Sequence, residues 1–118
     1  MSNHTGACQH AQSLCDHLLN ALTHRIPDLQ SSRKSSWCTV GTPHFAYISH
    51  MRTSPRIQIW CKGDPAALEK DRRVNYHPRP KPRRGWWEKN FSGWFDVEHI
   101  EDIDAAAEVL YQHSYSRT

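Results

Sequence analysis

Apolar and polar positions alternate along this chain with two different periods, and the changes of period mark its elements. From about Ala7 to His24 the residues Cys8, Ala11, Leu14, Cys15, Leu18, Leu19 and Leu22 recur at steps of three and four, which places them on one stripe of an α-helix. His10, His17 and His24 fall on the opposite side, each two turns from the next. That separation is too long for one metal ion, so a solvated polar face is expected there. Pro27 ends the pattern, and the polar run from Asp28 to Ser36 reads as a surface loop.

The period then drops to two. Trp37 to Gly41 and Phe45 to His50 read as two strands of a hairpin joined through Gly41, Thr42 and Pro43. After a turn at Met51 to Pro55, Arg56 to Cys61 sets Ile57, Ile59 and Cys61 against Gln58 and Trp60, a third strand with one buried face. Gly63-Asp64-Pro65 before AALEK is a helix start, with Asp64 as cap and Pro65 at the first helical position, and this short helix is expected to end near Arg73. From Tyr76 to Arg84, Pro78, Pro80 and Pro82 stand at alternate positions. That spacing forbids a helix or a central strand and predicts an extended, polyproline-like loop with Arg79, Lys81 and Arg83 projecting outward. Gly85 to Trp87 and Trp94 to Ile100 read as the remaining strands, with Ser92-Gly93 available for a turn, and a last helix is expected over Asp104 to Tyr115.

This order predicts an α+β fold: an antiparallel sheet of about four to six strands, an N-terminal and a C-terminal helix packed on it, and one short internal helix. The 118 residues suit a single domain, with residues 1–6 flexible and 77–84 a Pro-rich basic loop. A hydrophobic fraction of 37% and a mean hydropathy of -0.80 predict a thin core, while the aromatics argue against disorder throughout. No apolar run approaches a membrane span, and MSNHTGACQH lacks the features of a signal peptide, so no membrane partner and a cytoplasmic location are expected. Cys8, Cys15, Cys38 and Cys61 contain no pair at metal-binding spacing. A reducing compartment would keep them as thiols, and neither a zinc site nor a disulfide framework nor a cofactor is expected.

Charge changes the picture more than composition does. Eleven Lys or Arg against four acids between Arg52 and Lys89 give that stretch a balance of +7, whereas Asp96 to Glu108 holds six acids and neither Lys nor Arg. A chain so divided has one region suited to polyanions and another that repels them. Within the basic region, RPKPRRGWWEKNFSGWFDVEH (79–99) interleaves five cations with five large aromatics, the pairing of guanidinium groups and flat apolar faces from which binding surfaces are built.

The run FAYISH, then IQIWCKGDPAALEKD, a Gly-Trp pair and DVEHIEDIDAAAEVLYQHSY resembles the small domain found at the C-terminus of proteins described as predicted transport proteins. It is also similar to the MmcQ/YjbR family, in which an FA strand, a "dP..a..L" helix start, a late Trp and a terminal "SY" helix recur. The resemblance covers about Ala11 to Tyr115 and implies a compact antiparallel sheet with helices on one face. For the YjbR type it implies a double-wing fold like those of DNA-binding proteins, without an established catalytic residue. The insertion RPKPRR departs from both patterns by its length and charge.

These residues predict a binding module rather than an enzyme. Arg72, Arg73, Arg79, Lys81, Arg83, Arg84 and Lys89 are the candidates for phosphate contacts, and Trp86, Trp87 or Trp94 for stacking on bases. Neighbouring residues of a strand point to opposite faces, so one of Trp86 and Trp87 is expected outward. The alternative partner is an acidic protein, since Arg and Trp also dominate protein interfaces. Asp96 and Glu98 share a strand face, as a metal-dependent nuclease would require, but no lysine follows at short spacing; His77 and His99 could form an acid/base pair, but nothing nearby fixes one.

Overall fold

In the computed structural model the described residues are 3–33, 37–41, 44–50, 55–79 and 91–115. Helix α1 (Asn3–Arg25) begins before the apolar stripe does. It buries Ala11, Leu14, Cys15, Leu18 and Leu22, the three- and four-step positions that the periodicity selects. The strands are β1 (Ser31–Arg33), β2 (Trp37–Val40), β3 (Ala46–His50), β4 (Ile57–Cys61), β5 (His77–Pro78) and β6 (Gly93–Val97), with α2 (Pro65–Lys70) between β4 and β5. After β6 comes a 3-10 turn (Ile100–Asp102), then α3 (Ile103–Val109) and a π turn (Leu110–Ser114). The fold is thus α+β, as the pattern predicts.

All strand pairs are antiparallel in a six-stranded sheet of order β1-β2-β3-β4-β6-β5. The core lies on one face. Cys38 and Val40, Ala46 and Ile48, Ile57, Ile59 and Cys61, and Phe95 and Val97 share that face by strand parity. They form one cluster with Leu14, Leu18 and Leu22 of α1, Leu68 of α2 and Ala106, Ala107 and Leu110 from the C-terminal turns. The described helices therefore cover the same side of the sheet. None of them is long and apolar enough to cross a membrane.

Four local expectations are corrected. Ser31 to Arg33, read as loop, pairs with β2; every residue of this strand is exposed, so an edge strand leaves no apolar alternation to read. His77 and Pro78 form a short ladder with β6 within the extended Pro-rich stretch, and Pro78 is tolerated because the ladder lies at the sheet's edge. Gly93 begins β6 instead of turning: a Cβ there would enter the space of the His77 carbonyl and stand 2.5 Å from the Tyr76 ring, so the close approach requires glycine. Helix α2 stops at Lys70, three residues before the predicted end. The expected strand over Gly85 to Trp87 lies outside the described residues.

The C-terminal turns are pinned at two points. Ser114, fully buried, donates its hydroxyl to the Lys62 carbonyl at 2.6 Å. Gly63, at φ +135°, leaves no room for a side chain, since a Cβ would meet the His113 carbonyl at 2.8 Å. Further out, Arg25 on α1 donates to Glu108 at 2.9 Å and Asp104 at 3.0 Å, joining the two end helices.

Candidate functional site

The side chains that point away from the helices form a row. Strand register places Thr39, Tyr47, Trp60, Trp94 and His77 in line across β2, β3, β4, β6 and β5. Rings pair at both ends of that line. Trp60 and Trp94 lie 6.1 Å apart, and His77 stacks on Trp94 at 4.3 Å and 25°. At the other end Trp37, on the same face of β2, stacks on Tyr47 at 5.5 Å and 16°, and Phe91 leans on Tyr47 at 6.4 Å. The local cause is parity: each ring occupies the strand position opposite to an Ile, Ala, Val or Phe that faces the helices.

Exposure grades along the row. Trp60 at its centre is only 4% exposed, and its indole N–H donates to Gln58 Oε1 at 2.9 Å. Trp37, Tyr47, His77 and Trp94 are half-buried, each keeping part of its surface in water. Burial raises the Tyr47 phenol above its ordinary pKa, so it stays protonated, a donor and acceptor in neutral solution. Beside the aromatic row runs a polar one, Ser49, Gln58 and Asp96 in register. Burial raises the Asp96 carboxyl, against the opposing pull of Arg56, whose guanidinium lies 3.6 Å away, and of His77.

The β5–β6 edge brings the basic segment to this face. The Arg79 backbone N–H donates to the Ser92 carbonyl at 2.8 Å, and its guanidinium reaches the Phe91 carbonyl at 3.4 Å. The chain between these residues, which carries Lys81, Arg83, Arg84, Trp86, Trp87 and Lys89, therefore leaves and returns at one point beside Trp94; those six residues lie outside the described ones.

Arg72 and Arg73 have a different setting. With Glu69, Asp71, Asp96 and Asp102 they line a groove of about 490 Å³ to whose lining Arg79 does not contribute. Arg73 is gripped by Asp71 through two hydrogen bonds, Nε at 2.9 Å and Nη2 at 2.6 Å, and also donates to Gln112 at 2.8 Å. The Asp71 carboxyl, which takes a further bond from His113 at 3.0 Å, is held well below the ordinary carboxylate range, chiefly by Arg73. Arg73 thus fastens the loop after α2 to the C-terminal turns, while Arg72 is exposed.

The residues weighed for catalysis are dispersed. Asp96 faces Arg56, whereas Glu98 lies exposed past the end of β6, where its carbonyl meets His10 Nε2 at 2.8 Å. His77 is stacked on Trp94 and His99 is exposed at the 3-10 turn. No group of three His, Cys, Asp or Glu side chains is arranged to hold a metal among the described residues.

Trp37, Tyr47 and Trp60 are the rings of the row that the sequence pattern did not single out for binding, and His77 entered it only as an acid/base candidate with His99. A signal was present: Tyr47 and Trp60 each stand on the strand parity opposite to the buried aliphatics. What the sequence lacked was strand order, which alone sets β6 beside β4 and so brings Trp94 against Trp60. Comparison with family models, curated proteins and solved structures finds no match to this chain.

Proposed function

We propose that this protein is a non-enzymatic module that binds nucleic acid, using the face of its sheet that points away from the described helices together with the cations of residues 79–89. The observation that carries the reading is the meeting of the aromatic row with the two flanks of the basic segment at the β5–β6 edge. The half-buried rings of Trp94 and His77 keep surface for stacking on unpaired bases, each stack contributing about 1–3 kcal/mol, and neighbouring Arg and Lys neutralise the phosphates that follow. Trp94 and His77 are the rings nearest Arg79 in the ladder. Arg72 and Arg73, set among four acids, contribute less to a polyanion site than Arg79.

The test replaces Arg79, Lys81, Arg83 and Arg84 together by Ser and measures retention of single- and double-stranded DNA and RNA in a gel-shift panel. Affinity is expected to fall by at least about tenfold, and the melting curve of the variant is recorded beside that of the wild type so that a loss of folding is told apart from a loss of binding. Equal affinity of variant and wild type removes the basic segment from the site. An acidic protein partner is indicated instead if no nucleic acid of unrelated sequence is retained at low salt.

A further inference from the structure

The polar row beside the aromatic one sets a donor next to an acceptor. Gln58 of β4 and Asp96 of β6 are register partners, two residues along the same strands from the partners Trp60 and Trp94 and on the same face. Residues directly opposite one another hold their Cβ atoms about 4.5–5.5 Å apart, so one ligand edge can meet both side chains. We propose, resting on the nucleic-acid reading above, that Gln58 and Asp96 select guanine in a single strand: Asp96 accepts from the base's N1–H and N2 amine, and Gln58 donates to its O6.

Three observations carry this. An indole N–H is a donor only, so the Gln58 atom that meets Trp60 Nε1 at 2.9 Å is the carbonyl oxygen, and the amide NH2 is the end Gln58 offers a ligand. Asp96, half-buried, offers only acceptors when ionised. Arg56 stands 3.6 Å from its Oδ2, beyond hydrogen-bond range, so the ion pair supports the charge without filling the acceptor positions of the carboxylate. The third observation is order along β6. The Arg79 N–H is tied to Ser92, Trp94 follows, and Asp96 stands about 7 Å beyond Trp94. A nucleotide laid along this strand therefore has its phosphate toward Arg79, its ring against Trp94 and its outer edge at Asp96.

The edges of the bases differ in what they bring to such a pair. Thymine and uracil flank one donor with two acceptors, and adenine and cytosine bring one amine beside ring acceptors. Guanine alone carries two adjacent donors next to an acceptor, and a carboxylate takes two parallel donors better than any neutral group. The same logic explains a carboxylate on a face that receives a polyanion: it repels phosphates unless the ligand brings donors to it, and the guanine edge does so.

The test titrates the full chain at low salt with labelled nine-nucleotide strands of thymine (DNA) or uracil (RNA), unaltered or with one central guanine, hypoxanthine, adenine or cytosine. The guanine strand is expected to bind at least about tenfold more tightly than the adenine, cytosine and unaltered strands, the size of one good bidentate contact. Hypoxanthine keeps N1–H and O6 but lacks the N2 amine, and should fall between. Asp96→Asn puts an NH2 where the carboxylate accepts, so the ratio of guanine to hypoxanthine affinity should drop to about one. An Asp96 that only braced the sheet would weaken all strands alike and keep that ratio. Gln58→Glu keeps an acceptor for the Trp60 indole but removes the donor to O6, and should also lower the preference for guanine. Equal binding of all strands by the wild type, or preference for another base, overturns the guanine assignment and leaves the nucleic-acid reading standing; a guanine preference that survives both substitutions overturns the role of these two residues. Retention of no strand, DNA or RNA, overturns both readings.

Discussion

At the scale of single residues, two buried ionisable groups pull stability in the same direction with pH for different reasons. Asp71, with a side chain only 9% exposed, is stabilised in its charged form by Arg73 and His113, so its folded pKa is depressed. Such a group contributes stability that is complete above the ordinary carboxylate value near about 4 and is lost as pH falls toward the folded value. Asp71→Asn is expected to cost about 1–2 kcal/mol at pH 7, a charged hydrogen-bond contribution discounted because Arg73 is 38% exposed. The gap in urea midpoint between variant and wild type should narrow by about pH 3; a constant gap would assign the loss to packing. His50 is the opposite case, with Nδ1 buried and lacking a hydrogen-bond partner among the described residues. Burial first, then Arg33, lowers its folded pKa, so protonation favours the unfolded chain and stability declines as pH drops below about 6.5. His50→Leu removes the orphaned atom within a similar volume. It should stabilise by about 1 kcal/mol at neutral pH and by more at pH 5.5, read as midpoints of urea unfolding.

At the scale of elements, legibility followed burial. Helix α1, β3, β4 and the start of α2 were readable because each has a periodic apolar stripe, an alternation or a Pro-marked start, and the core faces of α1 and β4 are the ones predicted. The edge strands β1 and β5 were not, since an edge residue answers to its ladder partner rather than to a core, and no property of Ser31 or His77 names that partner. The candidate site divides the same way. Arg79 and Trp94 were legible as residue types, but the row that links Trp94 through Trp60 to Tyr47 depends on β6 inserting between β4 and β5, a matter of topology. That insertion rests on Gly93, whose Cα hydrogens face the Tyr76 ring and the His77 carbonyl. Gly93→Ala should therefore separate β5 from β6, costing about 1–3 kcal/mol as an overpacked site. Amide exchange offers the local readout: the Arg79 N–H, which donates to Ser92, should lose protection while the amides shared by β3 and β4 keep theirs. Equal protection in both ladders would show that β5 is held by other contacts.

At the scale of the whole molecule, the division of charge in the sequence is partly cancelled by the fold. Of the acids between Asp96 and Glu108, Asp104 and Glu108 are met by Arg25 from the other end of the chain, and Asp96 lies 3.6 Å from Arg56. The described cationic partners of these acids thus are Arg25 of α1 and Arg56, the residue before β4. Pairing the acidic stretch in this way weakens the repulsion a polyanion would meet on approaching the β5–β6 edge, and leaves counterion release from phosphates as the main source of affinity. That has a quantitative consequence. Each phosphate neutralised adds about 0.7–0.9 to the slope of log affinity against log salt, so removing Arg79, Lys81, Arg83 and Arg84 should reduce the slope by about 3. Trp94→Ala, by contrast, should weaken binding at every salt concentration by a similar factor and leave the slope alone, since a stacked base releases no counterion. Titrations of a labelled single strand at several salt concentrations separate the two contributions: parallel lines for the Trp variant with converging lines for the Ser variant support a shared site, whereas a slope unaltered by loss of four cations means that the phosphates lie elsewhere.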